Sequence, residues 1–500
     1  LSNFQGSSGT NRMDFMFNGC GKIKKIELRN LDLTYTTTMS HMFDGCNSLT
    51  SLLLKNSKKT SITDFSYMFN GCNALEIIDL SEFYNSNKNN NQYNMENIFA
   101  GCPNLISLDF SYLDISYAKN YKNMFTVCKK LENLKLTNFK ATDINDFSYM
   151  FSDLTNLKSL DLTNFSGSTK ENTMEGMFEN CNQIQYLNLS HLDFSYTNNI
   201  NNIFKGCTSL INLDLSSFTT SKINKFSYIF NDCTNLKVLN LSKFQGSSVD
   251  NTMAYMFNNC ALLNSIELKN LDLTKTTDIS YMFNGCKSLN NLILKNNKES
   301  KIKDYSYMFN NCESIEKIDL SNFKSTNQIN KMEYMFNGCI KLKEINFLGF
   351  DTTFTKSMKN IFSGCINLKS LNFPNLFISS YISDINNIFV DCKGLEYINM
   401  TNLKAYYTKN FSYMFSDLTN LITLDLTNFN GSSYTNTMEG MFYNCKQLKK
   451  LYLPNLDFSF TNNIKDIFKG CNSLNSINLS NFTTSKINDF SNLFYDCDLK

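Results

Sequence analysis

Leu154-Thr155-Asn156-Leu157-Lys158-Ser159-Leu160-Asp161-Leu162-Thr163-Asn164-Phe165 places its apolar side chains in the pattern L-x-x-L-x-x-L-x-L-x-x-F. The L-x-L centre has the two-residue period of a strand, with Leu160 and Leu162 on one side and Asp161 on the other. The same slots hold Cys207, Leu210, Leu213 and Leu215, and again Cys312, Ile315, Ile318 and Leu320. A strand that returns at a fixed interval predicts a parallel sheet assembled one strand per coil.

The cysteines set the interval. Seventeen of them, from Cys20 and Cys46 to Cys471 and Cys497, are mostly 26 or 27 residues apart. Two double-length gaps are filled at their midpoints by Leu154 and Leu418, which makes nineteen ladder positions. A position that accepts either Cys or Leu reads as a buried apolar slot, so the thiols are expected to be reduced and in the core. No C-x-x-C occurs to suggest zinc or a redox dithiol.

Ahead of each ladder position runs a second pattern, such as Met13, Met16, Phe17 and Cys20, or Met174, Met177, Phe178 and Cys181. Spacing i, i+3, i+4, i+7 predicts about two helical turns, with Asp64, Thr173, and Asn436 with Thr437 placed as N-caps. The fold expected is an α/β solenoid of leucine-rich-repeat type, about 19 coils of about 26 residues, each with one short parallel strand and one short helix or 3₁₀ turn. A lone coil buries too little apolar surface to offset the ordering of its residues at ~1–2 kcal/mol each, so stability must come from stacking.

A longer repeat overlies the short one. Leu1-Ser2-Asn3-Phe4-Gln5-Gly6-Ser7-Ser8 returns, with one change, at Leu241 to Ser248, and Phe147 to Leu154 returns unchanged at Phe411 to Leu418. This predicts a first block 1–240 and a second block 241–500 with one extra coil, around Cys339, in a single continuous solenoid. Both ends fall inside a repeat, so the chain is expected to be a piece of a longer array.

The 47 basic and 45 acidic side chains nearly cancel, leaving a net charge of +2, which offers no footprint for nucleic acid. No stretch is long and apolar enough for a membrane span. Only two histidines occur, His41 and His191. Both are expected to be exposed polar positions, His41 on an outer-face helix, which leaves no Ser-His-Asp or Cys-His constellation. Gly19-Cys20-Gly21-Lys22 has the wrong spacing for a phosphate loop. The expectation is a protein that is not an enzyme and needs no cofactor or metal.

Met42-Phe43-Asp44-Gly45-Cys46-Asn47-Ser48-Leu49-Thr50-Ser51-Leu52, with strand ends such as Ile78-Asp79-Leu80, resembles the BspA-like leucine-rich repeat surface proteins of bacteria and protists. The resemblance covers essentially the whole chain, although Trp, frequent in the bacterial members, is absent here. It implies a secreted or surface-anchored protein used in adhesion, partner binding or surface architecture.

The middle residue of each L-x-L faces outward, and this column is rich in acids and Asn: Glu27, Asp79, Asp109, Asp161, Asp214, Glu267, Asp319 and Asp425 are the candidate binding residues. A carboxylate-rich concave face could hold Ca²⁺ or hydrogen-bond glycans. Leu53 and Ile293 interrupt the column at matching sites and suggest an exposed aliphatic contact. Sequons at Asn188, Asn240, Asn399 and Asn478 would put glycans on the same face, and the stretch Asn85 to Asn94 reads as a loop. The function expected is a structural or adhesive repeat protein forming an extracellular scaffold, fibre or surface coat. The alternative is a surface adhesin or receptor-like module that binds a protein or glycan on the concave face. Its partners would be other copies of itself, surface proteins or glycans. An intracellular interaction scaffold would suit reduced thiols equally well.

Overall fold

A computed structural model covers the chain and describes all residues except 1–8, 61, 82, 86–92, 112–117, 137–142, 164, 166, 190–191, 217, 295–297, 322, 324–328, 348–351, 373–380, 401–404, 428, 430, 454–455, 480–481 and 500. His191 and nearly all of the predicted loop from Asn85 to Asn94 lie outside the described residues. The chain divides into two compact units, Leu1–Gln245 and Gly246–Lys500.

Within each unit the L-x-L segments form parallel strands that pair with the next coil. Lys25–Leu31 pairs with Ser51–Thr60, which pairs with Ile77–Asp79, and Ser107–Asp109 pairs with Asn133–Lys135. In the second unit Ser265–Leu268 pairs with Asn291–Leu294, and Lys317–Asp319 with Glu344–Asn346. Alternation turns Leu108 inward at 3% exposure and leaves Ser107 and Asp109 outside.

Two expectations need correction. Among the described residues there is no helix, and about fifteen coils carry a sheet-face strand, not nineteen. The coils of Leu154 and Cys471 run past without one, and that of Cys181 contributes only the Tyr186–Asn212 bridge.

The helix fails for a stereochemical reason that the coil of Cys46 makes plain. His41 and Gly45 both take left-handed φ values, 54° and 71°, which no α-helix accommodates. The segment is instead a string of turns: the Met42, Asp44 and Cys46 amides donate to the carbonyls three residues back, at 3.3, 3.2 and 3.1 Å. Gly45 is the third residue of its turn, where type II geometry requires positive φ. The intervening amides of His41, Phe43 and Gly45 donate to Ser66, Met68 and Asn70 of the next coil at 2.8–2.9 Å. Half of the backbone donors that a helix would spend internally therefore tie one coil to the next. With no helix to cap, the residues expected as N-caps form local turns instead: Asp64 Oδ1 accepts from the Ser66 amide at 2.9 Å and Thr173 Oγ1 from the Glu175 amide at 3.3 Å.

Side chains of the turn row fill the core. Phe17, Phe43, Phe69, Phe99 and Phe125 stack in successive coils with centroids 5.0–6.2 Å apart. Phe257, Phe283, Phe309 and Phe336 repeat the column in the second unit at 5.2–5.6 Å. The cysteines are free and lie beside these columns, fifteen buried and Cys20 and Cys497 half-buried. Cys46 Sγ donates to the Phe17 carbonyl at 3.1 Å, and Cys312 to that of Phe283 at 3.1 Å, so each thiol adds a weak hydrogen bond between coils. Burial raises the Cys46, Cys128 and Cys286 thiols to about 12, which keeps them protonated and unreactive.

Candidate binding face

The strands hold two outward columns. One is the predicted L-x-L column, and the other lies two residues earlier, at Ser107, Asn133 and Ser159.

In the predicted column most acids are already engaged locally. Asp79, Asp109, Asp161, Asp214, Asp319 and Asp425 each accept the backbone amide two residues on, from Ser81, Ser111, Thr163, Ser216, Ser321 and Thr427, at 2.7–3.0 Å. This Asx turn ends the strand and starts the next bend, so the carboxylate is first of all a backbone acceptor. Hydrogen bonds from the Ser81 hydroxyl and amide hold Asp79 below its ordinary pKa, and the Thr163 amide and hydroxyl do the same for Asp161. For Asp109, burial pulls upward, but bonds from Ser111 and Lys135 outweigh it. Glu27 lies between Lys25 and Arg29, each at 2.7 Å, which bring it down to about 2, and Glu267 pairs with Lys269 at 2.6 Å.

Acids do not face acids across the paired strands. Asp109 is in register with Lys135, Asp214 with Asn240, Glu267 with Ile293, Asp319 with Asn346 and Asp425 with Tyr452. Among the described residues no three acidic, His or Cys groups converge on one point. Leu53 and Ile293 are half-buried, Leu53 in register with Glu27 and Asp79. Asn188, Asn240 and Asn478 are exposed and Asn399 is half-buried. His41 is not a free polar position: its ring lies 4.6 Å from both Phe15 and Tyr67, and Nδ1 meets Asp44 Oδ2 at 2.7 Å.

The structure brings Asp109 and Asp161 together with the overlooked column. Ser107, Asn133, Ser159, Asp109, Glu132, Lys135 and Asp161 line a shallow groove of about 450 Å³ across three coils. Lys135 Nζ is 3.2 Å from Asp109 Oδ2, leaving Glu132 and Asp161 as the groove's other charges. Small side chains at 107, 133 and 159 make the depression. The same column carries Ile77 one coil before it and Tyr186 one coil after, 61% and 60% exposed. Strand alternation alone would have pointed to this column, because any residue two positions before an outward one also faces outward.

The model of the family described as "Mycoplasma protein of unknown function, DUF285" matches residues 11–93, 88–185, 172–293, 251–373, 356–451 and 409–499. The chain belongs to this family. The DUF285 chain also fits the resemblance to BspA-like leucine-rich repeat proteins. No curated protein matches it. Among solved structures it is similar to a leucine-rich repeat protein from Bacteroides ovatus at 15% identity and TM-score 0.38, covering 95% of this chain and 91% of that one. A leucine rich cell surface protein from Faecalibacterium prausnitzii matches at 13% identity and TM-score 0.26, over 67% and 70% of the two chains. Likenesses of this strength carry nothing about the partners of the DUF285 chain. No helix among its described residues is long and apolar enough to cross a membrane.

Proposed function

We propose that this chain is a non-enzymatic, extracellular repeat protein with an adhesive role at a cell surface, holding a protein or glycan on its sheet face. The observation that carries the reading is the groove at Ser107, Asp109, Asn133, Lys135 and Asp161, which sets hydroxyl, amide, ammonium and carboxylate groups side by side on a regular scaffold. Such a mixture suits a hydroxyl-rich or polar chain laid across the strands. Asn188, Asn240, Asn399 and Asn478 lie in the L-x-L column, so a glycan attached at any of them would stand on the sheet face. A scaffold or coat made of copies is the second reading, favoured by the regular Phe columns, which suit load-bearing architecture.

The test is binding of the purified chain to an array of glycans and surface proteins, beside the double variant Asp109→Asn/Asp161→Asn. Asn retains the oxygen that accepts the turn amide and removes only the charge. The expected result is saturable binding that the variant weakens at least tenfold. Equal binding by both would remove the groove from the role, and no binding to any probe would leave the scaffold reading in its place.

A further inference from the structure

The turn row of the second unit carries a column of phenols. Tyr255, Tyr281, Tyr307 and Tyr334 occupy the first left-handed position of four successive coils, with φ of 57–59°. A bulky residue there costs on the order of 1 kcal/mol or more, which its neighbours must offset. They do so by stacking: successive centroids are 4.4, 4.4 and 4.6 Å apart with interplanar angles of 7°, 9° and 10°. Burial and the neighbouring Tyr307 and Tyr255 phenols push the Tyr281 hydroxyl above its ordinary pKa. An amide ladder fixes the same coils, with Asn284 donating to Asn258, Asn310 to Asn284 and Asn337 to Asn310 at 2.6–2.7 Å. The tyrosines are half-buried, each covered in part by its neighbours in the stack.

We propose that this column is an oxidative cross-linking site, at which an oxidant of the haem-peroxidase and peroxide class joins neighbouring tyrosines into dityrosine. Each of two adjacent phenols gives up the hydrogen atom of its hydroxyl. The two radicals form one carbon–carbon bond between ring carbons ortho to the oxygens, and the proton on each of those carbons returns to its own oxygen. The pair loses two electrons and two protons, and hydrogen peroxide takes them up to become two waters. Holding the rings in contact spares the encounter that separate phenols require, so coupling within the column outpaces coupling between molecules. The product would fasten successive coils covalently. The first unit cannot do this at the matching rungs, where Phe15 and His41 stack with the single phenol of Tyr67.

The test treats dilute, folded protein with a haem peroxidase and hydrogen peroxide, then digests it with trypsin. Cleavage at Lys269 and Lys275 places Tyr255 and Tyr281 on separate peptides. The expected result is a monomer that has lost two hydrogens per link and shows dityrosine fluorescence, with those two peptides recovered joined. Tyr281→Phe keeps a ring in the stack and removes the phenol, so that joined peptide should disappear while the circular dichroism spectrum is unchanged. If Tyr281→Phe disturbs the fold, the wild-type chain unfolded in urea gives the second measurement: the link should fall at least tenfold. The proposal is overturned if the products are only dimers or hydroxylated tyrosines. It is equally overturned if coupling is confined to the exposed Tyr381, Tyr407 and Tyr434, or proceeds as well in urea.

Discussion

The coils that make the groove, residues 102–161, return 263 or 264 residues later at 365–425; on the strand side the inward residues stay apolar while the outward ones change in kind. On the turn side buried Ala118, Tyr121 and Met124 also change, to Ile382, Ile385 and Ile388. Inward, Leu108, Leu131, Leu157 and Leu160 return as Leu371, Leu395, Leu421 and Leu424, all buried. Outward, Asn133 becomes Tyr397, Lys135 becomes Asn399 and Lys158 becomes Ile422, and in the sequence Asn372 takes the place of Asp109. Tyr397 is 55% exposed where its counterpart Asn133 lines the groove. Inward positions meet the coils on both sides, so a change there must be absorbed three times over. Outward positions answer only to solvent and partner, and any difference in binding between the units must lie in them.

The largest expected effect would break the first half of that comparison. Leu157→Ala and Leu421→Ala each remove a fully buried side chain between stacked coils, and each should cost about 2–5 kcal/mol. Urea unfolding of the two variants should show losses of similar size. A cost well below 1 kcal/mol at either site would mean that its coil is not packed as the other is.

The strand side of each coil was legible because a period of two leaves little choice for Leu160, Asp161 and Leu162. The turn side was not, because Met42, Phe43 and Cys46 carry a spacing that a helix and a string of turns share. The discriminating signal stands one residue before nearly every ladder position, as at Gly45, Asp153, Asn259 and Gly285, residue types that tolerate left-handed φ at the third place of a type II turn; Val127 is the exception. The other left-handed position was legible where it holds Asn97, Asn123, Gly176 or Asn360, but not where it holds a tyrosine. Tyr281 and Tyr307 are poor residues for it on local grounds, and the contact that holds them, stacking across coils, is one that no single repeat displays. The groove was half legible: Asp109 and Asp161 stood out by charge, whereas Ser107 and Ser159 matter by being small.

A smaller effect separates the two uses of an outward acid. Asp109→Ala removes the acceptor of the Ser111 amide and the partner of Lys135, and should cost ~0.5–1.5 kcal/mol. Asp109→Asn keeps the turn and loses only a surface ion pair, at most ~1 kcal/mol. Because the folded-state pKa of Asp109 is lowered, its charge contributes stability above the ordinary carboxylate range, and that contribution fades as pH falls through the lowered value. Urea midpoints of wild type and Asp109→Asn should therefore differ at neutral pH and converge in acid. A gap that persists when the carboxyl is protonated would assign the effect to the turn and not to the charge.

The smallest effect on stability should carry the largest one on recognition. Asn133→Tyr gives the first unit the side chain that the second already carries at Tyr397, and a change at an outward position should move stability by no more than ~0.5 kcal/mol. Filling the groove with an aromatic ring should nonetheless lower affinity at least tenfold for any probe that Asp109→Asn/Asp161→Asn also weakens. Tyr397→Asn in the second unit should leave that affinity alone, since Asn372 and Asn399 do not restore the charges of Asp109 and Lys135. If Asn133→Tyr binds as wild type does, the partner does not enter the depression, and the contact must instead run over the exposed rims at Ile77 and Tyr186.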